Sequence, residues 1–362
     1  MEPKKLVRPE VRELEGREYA PNMEQIREKC DLSLNINPCG ISKKVLEKLS
    51  HIDSRKINHY YPENTELIEE ISSYTGVGVG QIMLGDGCDG CLGLIANTFI
   101  NKGDTIIIPT PTFHRYEFHS SIMGGAPLFV PMKNFEMSSA DILSSSNGAK
   151  IIFLCNPNNP TGKGIHKNIL EEIIRNFRGI VVVDEALADV TAINGFELSK
   201  KYNNLIFVRS FSKAFGLASL RIGYIISNQD LINEIKKTSS PFKVNGIAQE
   251  LSVEALRDRE YIRESKDHID KNRAFLINSL HSLGFACTAS ITTNFLVDVS
   301  KINTDSKIVV ELLNKHGVLV TDAAVFRVPD SKYIRVAIGT ENENKKFIEV
   351  MSSLSKKFSK SP

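Results

Sequence analysis

The sequence predicts an α/β fold, with a mostly parallel central sheet in a large domain and a smaller α+β domain beside it. Three observations predict it. Between residues 81 and 227, short runs such as "DTIIIP", "KIIFLCNP", "GIVVVDEA" and "NLIFVRS" are apolar on both faces and alternate with helical stretches. Strands of that kind belong to a parallel sheet covered on both sides by helices. After "NQDLINEIKK" the rhythm changes to long helical stretches from about 246 to 283, then to strands mixed with helices. The chain also has 362 residues, above the size at which one core stops growing. The expected division is 1–45 as an N-terminal segment joining the small domain, 46–260 as the large domain, and 261–362 as the small C-terminal α+β domain.

In chain order, a charged start leads to "KCDLSLNINPCG", an extended entry segment ending in a turn at Asn37-Pro38. "ISKKVLEKLSHI" is helical by apolar spacing. "PENTELIEEISSYTG" begins a second helix with polar capping residues, and Gly76 stops it. Alternation follows: strand "QIMLG", helix "CDGCLGLIANTFI", strand "DTIIIP", helix "FHRYEFHSSIMG", strands "APLFVPM" and "KIIFLCNP", helix "HKNILEEIIRNF". Three more strands are "GIVVVDEA", "NLIFVRS" and "RIGYIIS". "SSADILSSSNG" at 138–148 reads as a polar surface connection. The tail alternates "NFLVDVS", "DSKIVVELLNKHG", "YIRVAIG" and "KKFIEVMSSLSKKF".

Composition narrows the function. Hydrophobic residues make up 41%, charged residues 24%, and the net charge is +2. These values suit a globular enzyme and argue against a nucleic-acid or acidic-membrane binder. No apolar run reaches 18 residues, and "MEPKKLVRPEVRELEGREYA" has no apolar core of a secretory signal. Six cysteines (Cys30, Cys39, Cys88, Cys91, Cys155, Cys287) are spread thinly, which suggests reduced thiols in a cytoplasmic protein. Cys88 and Cys91 form a lone C-x-x-C. With no second ligand pair they read as small thiols packing the start of a helix, and no metal site is expected.

In open α/β sheets ligands bind beyond the carboxyl ends of the strands. Five successive strand ends carry polar residues: Asp86-Gly87-Cys88-Asp89, Thr110-Pro111-Thr112-Phe113, "NPNNPTG" from Asn156, Asp184-Glu185, and Arg209-Ser210-Phe211-Ser212-Lys213. The first also spells G-x-G-x-x-G through Gly85, Gly87 and Gly90, with Asp104 further on, so a nicotinamide-dependent oxidoreductase is the rival enzyme reading. That rival leaves Lys213 and Asp184 without a role. A glycine turn at a helix N-terminus holds a single phosphate as well as a pyrophosphate. In "VRSFSKAFGLASLRIGY", Ser210, Ser212 and Arg221 suit one phosphate, and Lys213 adds an amine beside it. Asp184 at the end of an apolar strand suits a protonated ring nitrogen, Asn159 a phenolic oxygen, and Phe113 one face of a flat ring. A phosphate, a ring nitrogen and an imine-forming amine together describe pyridoxal phosphate.

"SFSKAFGLASLRIGY", "NPNNPTG" and "VVVDEA" resemble the pyridoxal-phosphate-dependent class I/II aminotransferases of fold type I, in the branch that holds histidinol-phosphate aminotransferases. The similarity runs from "LNINP" to "YIRVAIGT". The resemblance implies that Lys213 attaches the cofactor, Asp184 pairs with its ring nitrogen and Asn159 binds its ring hydroxyl. It puts Phe113 in the stacking position, and assigns the phosphate to Ser210, Ser212, Arg221 and the backbone around Gly87 and Cys88. Tyr61 in "HYYPE" matches a tyrosine that reaches the neighbouring subunit's cofactor phosphate, which implies a homodimer with shared active sites. Arg335 in "YIRVAIG" matches the arginine that grips the substrate's carboxylate or its equivalent, and Asn37 is placed with it on the substrate side.

Three departures qualify the resemblance. The family word "DEAY" is here "DEAL", so Leu187 replaces a hydroxyl donor. Thr321 stands where histidinol-phosphate enzymes tend to carry an arginine, with Arg327 nearby as a substitute. "LSLNINPCG" and "SPFKVNGIAQ" look like threonine-phosphate decarboxylases. The expected activity is transfer of an amino group between a small-molecule donor, histidinol phosphate or an amino acid, and a 2-oxo acid such as 2-oxoglutarate. That places the chain in amino-acid biosynthesis, histidine biosynthesis in particular. A phosphate-type decarboxylase and a non-catalytic cofactor-binding protein stand as alternatives.

Overall fold

The computed structural model describes residues 3–12, 14 and 28–358. Part of the segment 1–45 therefore lies outside the described residues. Strand β1 is Cys30–Asp31. The large sheet contains β2 (Ile82–Gly85), β3 (Thr105–Thr110), β4 (Ala126–Pro131), β5 (Ala149–Cys155), β6 (Ile180–Asp184), β7 (Leu205–Ser210) and β8 (Gly223–Ser227), in the order β2-β8-β7-β6-β5-β3-β4. The pairings of β7 with β6, β6 with β5, β5 with β3 and β3 with β4 are parallel. β8 is antiparallel to both of its neighbours, so it alone runs against the sheet.

The apolar strand runs have a direct structural cause. In β3, Ile107 joins one core while Ile106 and Ile108 join the other. In β6, Val181 and Val183 face one way and Val182 the other. Side chains alternate across a strand, so a sheet covered on both faces needs apolar residues at every position. The helices match their readings: Thr65–Thr75 begins at Asn64, whose side chain accepts from Glu66 N, and ends at Gly76 in the left-handed conformation. The stretch 138–148 is not a plain connection. It holds a short helix, Ser139–Ser144, whose N-cap Ser138 accepts from Asp141 N.

A second sheet contains β9 (Ala286–Cys287), β10 (Asn294–Asp298), β12 (Thr321–Asp322) and β13 (Tyr333–Ala337), all antiparallel, in the order β12-β13-β10-β9. β1 pairs in parallel with β11 (Val318–Leu319). The boundary expected at 260/261 falls in the first turn of the helix Arg259–Ser282, which runs on without a break.

Two contacts lock these parts around one edge of the large sheet. β5, β6 and β7 end side by side, with Cys155 opposite Asp184 and Asp184 opposite Val208. Gly216, just past Lys213, has φ +70, and a Cβ there would run into the carbonyl oxygen of Gly40. Close approach and a left-handed backbone together require glycine. Gly216→Ala should therefore lower stability by at least about 2 kcal/mol, seen as a thermal midpoint several degrees below wild type. An unchanged midpoint would show that the turn has room to relax.

Candidate active site

A cavity of about 800 Å³ opens at the carboxyl edge of β5, β6 and β7. Nine residues singled out in the sequence line it: Cys88, Phe113, Asn159, Asp184, Ser210, Ser212, Lys213, Arg221 and Arg335. They arrive from five strand ends of the large sheet and from β13 of the small one.

Asp184, the last residue of β6, is only 3% exposed. Its Oδ1 accepts from Ala186 N at 3.0 Å and from Cys88 Sγ at 3.7 Å, and its Oδ2 accepts from the Tyr116 hydroxyl at 2.9 Å. Burial raises its pKa, while these three donors oppose the rise. Among the described residues no cationic side chain lies within 4.0 Å of it. A buried carboxylate of this kind is incomplete without a cationic partner. Tyr116 is the residue that sequence reasoning missed. It is held by a parallel stack on Phe153, with ring centroids 5.3 Å apart. The one available signal was its place three residues after Phe113 in the helix that follows β3.

Across the cavity floor, the helix Gly87–Phe99 begins immediately after β2. Gly87 has φ +82, and a Cβ there would sit 2.7 Å from Arg221 Nη2, so glycine is what lets the guanidinium approach the helix N-terminus. Arg221 is itself held in the left-handed region at φ 50 and donates to Ala218 O. Ser210 Oγ accepts from Ser212 N at 3.0 Å, which closes the turn before Lys213. Helix N-terminus, two hydroxyls and one guanidinium converge as an anion cradle.

Lys213 forms no ion pair among the described residues. Burial, then the charges of Arg335 and Arg221, pull its pKa down to about 8. Arg335 is buried at 6% exposure and its pKa is drawn down to about 10 by burial. Its Nη1 donates to Asn159 Oδ1 at 3.2 Å, its Nη2 to Thr321 Oγ1 at 3.0 Å and to the Ser33 carbonyl. Its guanidinium lies 4.9 Å from the centroid of the Phe326 ring. Phe113 meets Tyr116 edge-on at 5.8 Å. Leu187 also lines the cavity, where it presents no donor.

Other expected residues sit elsewhere. Tyr61 donates to Glu250 Oε1 at 2.6 Å and does not line this chain's cavity. Asn37 does not reach the cavity either. Its Nδ2 donates to Ala214 O and Ser265 Oγ, and its Oδ1 accepts from Cys39 N. It therefore holds the N-terminal segment against the residue after Lys213. Arg327 is diverted as well: it makes a bidentate pair with Glu117 at 2.7 and 3.0 Å and lies 3.9 Å over Phe129. Asp104 precedes β3, at the opposite end of the sheet from the glycine turn, and pairs with Lys150 at 2.8 Å. Asp104 is thus not placed to serve the ribose of a dinucleotide at the turn, which counts against the oxidoreductase reading. Glu185 and Arg209 form a buried ion pair at 2.6 Å, which Asp189 completes at 2.7 Å. They brace the strand ends from behind.

The family described as aminotransferase class I and II matches residues 27–351. The chain belongs to that family. The histidinol-phosphate aminotransferase of Methanosphaera stadtmanae is 35% identical over 331 residues, covering 89% of each chain. That of Methanococcus aeolicus is 34% identical over 349 residues, covering 94% of this chain and 92% of the relative. The solved histidinol-phosphate aminotransferase of Sinorhizobium meliloti, in complex with pyridoxal-5'-phosphate, superposes with a TM-score of 0.87 at 22% identity, covering 96% of this chain and 97% of that one.

The protein is thus a pyridoxal-phosphate-dependent aminotransferase of fold type I, and its cavity fits that cofactor on its own evidence. A buried carboxylate without a cationic partner among the described residues, a guanidinium at a helix N-terminus and an amine with a lowered pKa all line this cavity. The lowered Lys213 pKa has a consequence for the cofactor-free enzyme. In the unfolded chain the amine titrates near 10.5, in the folded one near 8. Folding then works against the protonated form below pH 8, and the penalty fades as pH rises to about 10.5. Lys213→Met should stabilise the cofactor-free protein at pH 7, by up to about 3 kcal/mol. That advantage should shrink toward zero by pH 10. Thermal midpoints of both proteins across this range test it, and a difference independent of pH would refute it.

Proposed function

We propose that this aminotransferase takes histidinol phosphate, or an amino acid whose anionic group Arg335 can hold, as amino donor and passes the amino group to a 2-oxo acid such as 2-oxoglutarate. The observation that carries the reading is the position of the Lys213 amine, which shares one cavity with Asp184, Arg221 and Arg335. The relatives' names support histidinol phosphate as donor and a place in histidine biosynthesis.

When bound, pyridoxal phosphate supplies an electron sink conjugated to the substrate's α-carbon. The chain's residues do the rest. Asp184 would hold a proton on the ring nitrogen. Ser210, Ser212, Arg221 and the amides after Gly87 would hold the phosphate, Phe113 would lie against the ring, and Asn159 would offer its amide to the ring oxygen. Lys213 would be the attachment point, and its amine, with a pKa drawn down to about 8, would be suited to move a proton at the substrate's α-carbon. Arg335 orients the donor by its anion. Leu187 leaves the ring oxygen with one donor fewer.

The assembly we propose is a cytoplasmic homodimer in which Tyr61 serves the partner's cofactor phosphate. Two features support it. Tyr61 is turned from its own cavity, and beside it Tyr60, 85% exposed, stacks on the exposed Phe242 at 5.0 Å. Exposed aromatic surface of this kind favours an interface. No described helix is long and apolar enough to cross a membrane.

Asp184→Asn should keep the fold and bind much of the cofactor while losing roughly 100-fold or more in kcat. Turnover within a few-fold of wild type would remove Asp184 from this role. Arg335→Ala should weaken every anionic donor by about 10- to 150-fold in kcat/KM, the value of one charge-assisted contact. Arg335→Lys should recover little, because an ammonium cannot reproduce the guanidinium fork. A panel of amino donors with 2-oxoglutarate, read by loss of the cofactor's absorbance and by keto product, tests the donor assignment. Release of carbon dioxide without keto product would install the decarboxylase instead.

A further inference from the structure

A buried arginine needs an opposing charge. Among the described residues, no carboxylate lies within 4.0 Å of the Arg335 guanidinium. Two of its nitrogens are fixed by neutral oxygens, from Asn159, Thr321 and the Ser33 carbonyl. The Thr321 hydroxyl also donates to the Ser33 carbonyl, at 3.0 Å. The direction of that carbonyl therefore decides where the guanidinium rests.

Asp31 sets the direction. It is the second residue of β1, held opposite Leu319 of β11, and is 6% exposed. Its Oδ1 accepts from Ser33 N at 2.9 Å and from Ser33 Oγ at 2.5 Å. Both bonds pin residue 33 with its carbonyl toward Arg335. Asp31 Oδ2 is buried without a hydrogen-bond partner, and so is Arg335 Nε. Asp31 also carries the negative charge that offsets the burial of Arg335.

We infer that Asp31 is a positioning residue for the anion grip: through Ser33 it orients Arg335, and by its charge it supports the guanidinium without occupying the donors that face the cavity. A carboxylate in direct contact would neutralise Arg335 and compete with the ligand. One residue removed, it contributes field and alignment and leaves the grip open. The inference rests on the reading of Arg335 as the substrate's anion site. It contrasts with a purely local role, in which Asp31 only closes a turn after β1.

The holoenzyme variant Asp31→Asn separates the two, because asparagine keeps an oxygen for the Ser33 bonds and removes the charge. The probes are an anionic amino donor in steady state and propionate as a competitive ligand, followed by the cofactor's absorbance. The variant is expected to raise donor KM and propionate Kd by roughly 5- to 30-fold, the effect of one partly screened buried charge. Its kcat should stay within about threefold, and its thermal midpoint should stay near wild type. Unchanged KM and Kd, or a loss confined to kcat and stability, overturns the inference. If Asp31→Asn does not fold, Ser33→Ala decides, since it keeps the charge and the carbonyl and loses one pinning bond: a two- to threefold rise in propionate Kd supports the proposal and no change refutes it. Arg335→Ala is the control. If it binds propionate as well as wild type, the assignment of Arg335 fails and this inference with it. If it loses propionate while Asp31→Asn does not, only the role of Asp31 is lost.

Discussion

Three positive charges, Lys213, Arg221 and Arg335, face one cavity with no carboxylate in ion-pairing contact with any of them among the described residues. Unpaired cations in a partly buried cavity raise the free energy of the empty protein. The architecture exists to hold them there. Parallel strands stop at one edge, a helix N-terminus adds its partial positive charge beside Arg221, and β13 brings in Arg335 from the second sheet. The result is a cavity with the charge to take two anions, which on the proposed reading are the cofactor's phosphate and the substrate's anionic group. Asp184 is the complementary case, a buried carboxylate that waits for a cation. The Lys213 pKa falls to about 8 because burial and the charges of Arg335 and Arg221 lower it, against a smaller opposing effect of Cys88 and, least, Asp184.

The sequence made the large sheet legible because its physical demands are strict. A sheet covered on both faces needs apolar residues without alternation, and β3, β5, β6 and β7 show that. The carboxyl-edge rule then pointed to Asp184, Ser210, Ser212 and Lys213. Long-range geometry was out of reach. Nothing in "LNINP" distinguishes an asparagine that binds substrate from one that clamps Ala214, and the structure shows the clamp. Arg327 and Asp104 carry the right chemistry at plausible sequence distances, yet Glu117 and Lys150 claim them. Tyr116 was hidden because its hydroxyl bonds the end of β6, 68 residues later in the chain. The reversal of β8 was equally invisible, since a buried strand reads the same in either direction.

The departures from the family pattern act at two different points. Leu187 lines the cavity without a hydrogen-bond donor, so on the proposed reading Asn159 alone is left to hold the ring oxygen. The Oδ1 of that residue accepts from Arg335, so the two positions proposed for ring and substrate anion share a single amide. Thr321 acts at the other end of the same chain of contacts: its hydroxyl accepts from Arg335 and donates to Ser33. An arginine there would add a charge. Threonine instead fixes the guanidinium of Arg335. Of the two guanidinium groups in the cavity, Arg335 alone is held by Thr321 and Ser33, while Arg221 lies at the helix N-terminus.

This arrangement gives the N-terminal segment a role larger than its length suggests. Residues 30 to 42 cross three parts of the site in succession. Ser33 meets Arg335, the Asn37 amide meets the carbonyl after Lys213, and Gly40 packs against Gly216. β1 is short, with only two residues paired to β11, so its own ladder contributes little. Its place is set by contacts on both sides: Asn35 bonds Asn294, Ser42 bonds Asp258, and the Tyr261 hydroxyl donates to Gly40 O. One extended stretch of chain is thus pinned to the neighbours of Arg335 and of Lys213 and, through Asn294 and Asp258, to β10 and the start of the helix Arg259–Ser282.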